Sequence, residues 1–154
     1  MEHEQNQIKD FMLKAGQATP DRPSMPAFEV RLLRFKLIWE ELNELANSFG
    51  CQVMVTNQGL TLAETAYTDL TEAYDAILDL MVVVIGTGVA LGLELEPGWE
   101  EVHRTNLAKF APGGHLREDG KFIKPPGWKP PELAKLISAQ TEAAEARDLQ
   151  QPLT

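Results

Sequence analysis

Between Leu80 and Leu93 the chain runs fourteen residues without a charge, and glycine stands at 86, 88 and 92. A bilayer-crossing helix needs roughly 20 apolar residues, so this run reads as a helix buried in a protein core. Immediately before it stand Glu72, Asp75 and Asp79, spaced three and four apart. On a helix these acids share an arc of ~60°, which leads straight into Val82, Val83 and Gly86. The segment is therefore a long helix, expected from Thr61 to Leu93, with acids at the mouth of a buried region. Thr61 with Glu64 fits a capping box at its start.

A second long helix is expected at 27–48. Its apolar residues Phe28, Leu32, Phe35, Trp39, Leu42, Leu45 and Phe49 recur at steps of three and four. Val30, Leu33 and Leu37 form a second stripe, so this helix packs between neighbours rather than lying on a surface. Glu40, Glu41 and Glu44 fall within a ~100° arc that continues the second stripe. By itself each acidic cluster is an ordinary solvated helix face. Two long helices joined by a connector of ordinary length are expected to pack antiparallel, however, which would set Glu41 and Glu44 against Asp75 and Asp79. Four converging carboxylates repel unless they are protonated or neutralised. An all-oxygen set suits hard cations, Mg²⁺ or Mn²⁺, and two such ions can clamp a polyphosphate.

The rest of the chain fits the same architecture. A short helix is expected at 4–16, with Ile8, Phe11 and Met12 on one side. Three prolines within 20–26 then forbid helix. Gln52–Thr56 is a candidate short strand inside the connector, ended by Asn57-Gln58-Gly59. Pro97 opens a third helix ending near Phe110, where Ala111-Pro-Gly-Gly114 stops it. Glu118-Asp-Gly-Lys121 signals a hairpin turn. A last helix spans about 131–146, and 148–154 are expected to fray. The fold class is all-α, a helical bundle with a proline/glycine-rich C-terminal arm, in a single domain over 1–154 with its core at about 8–133.

Charge and cysteine narrow the function. Fourteen basic against 23 acidic residues give a net charge of −9, which disfavours a groove tracking a nucleic-acid polymer. The first residues carry no secretory signal, so the expectation is a cytoplasmic protein with no membrane segment. The single cysteine, Cys51, excludes an intrachain disulfide and reads as a buried small residue. With His3, His103 and His115 it makes no zinc spacing. Glu100-x-x-His103 is half of a di-iron bundle motif without its second half. Gly86-Thr-Gly88 follows no strand, so a phosphate-loop reading fails and close helix packing is the better one. Asn106 lies on the side of Trp99, Val102 and Phe110, with Lys109 beside it, and a core-facing amide needs partners. Arg104, Lys109, Arg117, Lys121 and Lys124 follow the acidic clusters and could receive phosphates.

Taken in order, these segments resemble a known family. Trp39-Glu-Glu-Leu-Asn-Glu44 resembles the EExxE element of the all-α nucleoside triphosphate pyrophosphohydrolases, which include MazG-like proteins, dimeric dUTPases and phosphoribosyl-ATP pyrophosphohydrolase. Asp75–Thr87 is similar to the second motif, and His103–Lys109 to the Asn-x-x-Lys element after it. Ala18–Pro23, Arg117–Lys121 and Lys124–Trp128 resemble a phage and bacterial MazG-like branch. The second motif is ordinarily ExxD. With Asp79 as its aspartate the glutamate position holds Ala76, and Asp75 substitutes; the rival register is Glu72-x-x-Asp75. The Asp79 register is preferred because the apolar run and glycines follow it.

The resemblance implies hydrolysis of a (d)NTP between its α and β phosphates, giving a monophosphate and pyrophosphate. It implies two or three Mg²⁺ or Mn²⁺ ions held by Glu41, Glu44, Asp75 and Asp79. Glu40 would orient or deprotonate the attacking water. Asn106, Lys109, Lys121 and Lys124 would bind substrate, the last two across a subunit interface, since members are homodimers or homotetramers. Base preference would fall to amides such as Gln17, Asn43 or Asn47, with dGTP or dUTP the expected substrates and nucleotide-pool control the role, in the host cytoplasm if the chain is phage-encoded. Three alternatives stay open: phosphoribosyl-ATP as substrate, a nucleotide-binding sensor, and a non-catalytic partner-binding dimer.

Overall fold

The computed structural model describes residues 1–57 and 59–150. Among the described residues five α-helices carry the chain: α1 (Glu2–Lys14), α2 (Phe28–Ser48), α3 (Leu70–Ala90), α4 (Leu95–Leu107) and α5 (Leu133–Gln150). Two small antiparallel hairpins complete it, β1 (Cys51–Thr56) with β2 (Gly59–Glu64), and β3 (His115–Leu116) with β4 (Phe122–Ile123). It is all-α in class, with a proline/glycine-rich arm between α4 and α5.

The α2–α3 pair is the frame, and the two helices make the most extensive helix contact in the molecule. At one end the Ser48 carbonyl accepts the Asp69 amide at 3.0 Å. At the other, Gly86 of α3 lies against the Arg34 side chain of α2. The helices therefore run antiparallel, with Glu41 level with Asp79. Ala73 and Ala76, both buried, leave room on α3 for its neighbours.

Glycine in α3 serves packing. A Cβ on Gly88 would lie 2.8 Å from both Leu95 methyls, so its absence lets the start of α4 close on α3. Gln5 of α1 fixes the same junction, accepting the Leu95 amide at 2.9 Å and donating to the Leu93 carbonyl at 2.6 Å. Met12 of α1 packs with Val89 and Ala90 at the centre of the core.

Four features of the structure refine those expectations. The long apolar helix starts at Leu70, not Thr61. Asp69 caps it, accepting the Thr71 and Glu72 amides at 2.7 and 3.1 Å. Thr61 and Glu64, read as a capping box, belong to β2, where Thr61 stands opposite Met54 and Glu64 opposite Cys51. Second, α3 has 21 residues and is long and apolar enough by composition to cross a membrane; here it is packed between α1 and α2. Third, α1 turns only part of its apolar side inward, burying Met12 and leaving Phe11 exposed, and Cys51 is half-buried at the start of β1 rather than in the core. Fourth, α5 continues through Gln150, so 148–150 are helical; residues 151–154 of the expected frayed end lie outside the described residues.

The arm folds back on α4. The hairpin expected at Glu118–Lys121 forms, with His115 opposite Ile123 and Leu116 opposite Phe122. Trp128 then donates its indole N–H to the Thr105 carbonyl at 2.8 Å. Glu101 ties α4 to the start of α5, gripping Arg104 with two 2.7 Å bonds and accepting the Glu132 amide at 3.0 Å.

Candidate active site

The two acidic clusters converge. Glu41 is half-buried on α2. Its carboxyl is pushed above the usual range, first by burial and then by the negative charges of Glu44, Asp79, Glu40 and Asp75. Helical periodicity alone brings the α2 acids to one face; the antiparallel pairing of α2 with α3 brings the aspartates to the same place. Glu40, Glu44, Asp75 and Asp79 remain solvent-exposed around Glu41.

Glu72 is not among the groups that act on Glu41. It receives the Tyr67 hydroxyl instead, at the first turn of α3. Ala76 is buried. Asp79 and Asp75 both act on the Glu41 carboxyl, and Asp75 belongs to either register.

Among the described residues, no group of three or more His, Cys, Asp or Glu side chains stands close enough together to hold an ion as placed. The donors are carboxylates alone, which is the chemistry of a hard divalent cation.

The expected substrate-binding residues lie elsewhere in the same chain. Asn106 is exposed on α4, not core-facing as its spacing suggested, and its carbonyl accepts the Lys109 ammonium at 2.7 Å. The helix presents Thr105, one residue earlier, to the interior. Lys124 lies over the Trp128 ring, 4.0 Å from its centre. Arg117 pairs with Asp119 at 2.7 Å, and Arg104 with Glu101. Lys121 is exposed at the hairpin. Among the described residues no ion pair joins these cations to the α2–α3 carboxylates.

One residue of this region escaped the periodicity. Arg34 is only 7% exposed, on the face that carries Val30, Leu33 and Leu37. Its guanidinium donates to the Gln17 side-chain oxygen and touches Met12 sulfur at 3.7 Å. A Cβ on Gly86 would lie 3.3 Å from Arg34 Nη1, so glycine makes room for the guanidinium on α3. A charged residue interrupting an apolar stripe was the available signal.

The all-α fold, with its antiparallel α2–α3 pair carrying both acidic clusters, agrees with the family comparison, which places the chain among the all-α nucleoside triphosphate pyrophosphohydrolases of the MazG-like superfamily. The family model for phosphoribosyl-ATP pyrophosphohydrolase matches residues 8–106, more than half of the chain, and the chain belongs to that family. It is accordingly a hydrolase acting on a nucleotide phosphoanhydride bond. No curated protein matches it. The match takes in both acidic clusters and ends at Asn106, so the arm and α5 lie beyond it.

Proposed function

We propose that this chain is a divalent-metal-dependent pyrophosphohydrolase that converts a deoxynucleoside triphosphate to its monophosphate and pyrophosphate. The observation that carries this is the gathering of Glu40, Glu41, Glu44, Asp75 and Asp79 at one level of the α2–α3 pair, where burial first and the neighbouring negative charges next raise the Glu41 carboxyl above its ordinary range. Such a cluster is costly without a cation. Glu41, Glu44, Asp75 and Asp79 would hold two or three Mg²⁺ or Mn²⁺ ions. Those ions, when bound, supply Lewis acidity toward the phosphate oxygens.

The chain's own groups do the rest. Glu40, exposed beside Glu41, takes the proton of the attacking water and orients its lone pair toward the α-phosphorus. The leaving pyrophosphate needs cations, and no lysine or arginine pairs with the cluster among the described residues. Lys109 and Asn106 are assigned to the substrate, and Lys121 and Lys124 to its far phosphates from a second copy of the chain.

Assembly as a homodimer or homotetramer is the reading that the thin core supports. Phe28, Phe35, Tyr74, Met81 and Trp99 are each 49% or more exposed, whereas the fully buried apolar set is mostly alanine. Apolar surface on this scale marks an association face. Cytoplasmic nucleotide-pool control is the role that suits the reaction.

The matched family favours a second substrate, phosphoribosyl-ATP, cleaved by the same chemistry. The arm and α5, which the match does not reach, favour a different specificity. Glu41→Gln tests the mechanism: turnover falls to background while the helical spectrum and Mn²⁺-free melting are retained. Turnover at the wild-type rate would remove Glu41 from the metal site.

A further inference from the structure

A cavity of about 470 Å³ opens beside the buried Arg34, between the 17–26 segment, α2 and the end of α3. Its polar wall is made by Arg34, Gln17, Thr19 and Ser24, and its apolar wall includes Val30, Leu33 and Ala90. No acidic residue lines it.

Arg34 is an unusual group to bury. Among the described residues no carboxylate pairs with it, its Nε is buried with no hydrogen-bond partner, and burial lowers its pKa. An unpaired buried guanidinium is expensive unless something supplies acceptors. A guanidinium only donates, so the Gln17 amide must turn its oxygen toward Arg34. That leaves the Gln17 NH₂ free to donate as well. The wall therefore offers adjacent donors beside a flat apolar surface.

The position relative to the carboxylates is also informative. Arg34 and Glu41 are seven residues apart on α2, and Gly86 and Asp79 seven apart on α3. At 1.5 Å per residue the cavity lies about 10 Å along the helix pair from the acids, on the same face. A nucleotide with its phosphates at the acids would bring its base to that distance.

We infer that this cavity receives the nucleobase of the substrate, and that Arg34, held by Gln17, selects a 6-oxopurine. The inference rests on the nucleotide reading of the carboxylate site. Guanine presents two neighbouring acceptors, O6 and N7, which match the guanidinium fork. Adenine sets an amino donor against it at the same place. The volume is in the range of small-ligand pockets and is ample for a purine.

The test compares wild type, Arg34→Met and Arg34→Lys. Binding of dGMP, dAMP and inorganic pyrophosphate is measured by calorimetry in EDTA, and kcat/KM for dGTP and dATP in Mn²⁺. Wild type should prefer the guanine nucleotide by roughly tenfold or more. Both variants should bring that ratio close to one, with pyrophosphate binding unchanged. Arg34→Met removes a buried unpaired charge and should melt no lower than wild type; should it fail to fold, Arg34→Lys, which keeps the charge and loses the fork, carries the comparison. A ratio unaltered in the variants, or a loss confined to pyrophosphate, overturns the base assignment, the latter marking an anion site instead. Arg34-dependent dGMP preference without any turnover would sink the proposed reaction and leave the cavity assignment standing. Turnover without base preference would do the reverse.

Discussion

Gly92→Ala should destabilise this protein far more than an exposed glycine substitution. Gly92 has φ +68°, and a Cβ there would lie 2.1 Å from the Arg22 carbonyl oxygen and 2.6 Å from its carbon. Left-handed backbone costs an L-residue about 1–2 kcal/mol. The contact with Arg22 is backbone, so the 20–24 segment must move away. That sacrifices the bond from the Ser24 amide to the Leu91 carbonyl, 2.9 Å, worth about 0.5–1.5 kcal/mol. It also loosens the exposed pairing of Arg22 with Asp148 and Glu145, worth about 0–1 kcal/mol. The sum is about 1.5–4.5 kcal/mol, a fall in melting temperature of roughly 3–18 °C for a chain of this length. Gly120→Ala is the control, because Gly120 has φ +79° with nothing within 4 Å of its Cβ position. It should lose only the left-handed cost, about 1–2 kcal/mol. Both are measured by thermal unfolding at one protein concentration, since association shifts the midpoint. Equal losses in the two variants would refute the claim that Gly92 exists to admit the Arg22 backbone.

Three further outcomes are expected. Asp75→Asn and Asp79→Asn should each abolish Mn²⁺-dependent turnover while Glu72→Gln stays active; a dead Glu72 variant with live Asp79→Asn would reverse the register. Glu40→Gln should lower kcat by roughly 10²–10⁴-fold with little change in substrate binding, and a change confined to KM would take the proton-transfer role away from Glu40. Glu101 is held down to about 2 from 4.5 by Arg104 first and by the Glu132 amide next. A depressed carboxyl stabilises the fold above its unfolded pKa and loses that contribution as pH falls through the folded value. The α4–α5 tether should therefore weaken between about 4.5 and 2, read by NMR titration of the Glu101 carboxyl; a midpoint near 4.5 would show that the Arg104 grip is absent in solution.

The frame and the acidic site could be read from local pattern because both rest on helical periodicity. Val30, Leu33 and Leu37 point to Glu40, Glu41 and Glu44, and Asp75 and Asp79 run into the glycine-spaced core helix. The 51–64 region could not be read the same way. A strand pair is a non-local ladder, and Thr61 with Glu64 satisfies the capping pattern whether or not a helix follows. The cap the structure uses is Asp69, whose side chain accepts the Thr71 and Glu72 amides. Pattern treats Arg34 as solvent-facing, whereas tertiary packing of α1 and Gly86 buries it. Asn106 fails for the opposite reason: its helix turns Thr105 inward, and the amide bonds Lys109 at the surface. Phe28 and Phe35 belong to a regular stripe yet stay exposed, because periodicity marks an apolar face without saying whether the same chain covers it.

The most direct measurement is product analysis. The protein is incubated with each common NTP and dNTP and with phosphoribosyl-ATP, in Mg²⁺, in Mn²⁺ and in EDTA, and the products are separated. The account predicts monophosphate plus pyrophosphate, from a deoxynucleoside triphosphate, only when a divalent ion is present. Diphosphate plus phosphate, or undiminished cleavage in EDTA, would contradict it.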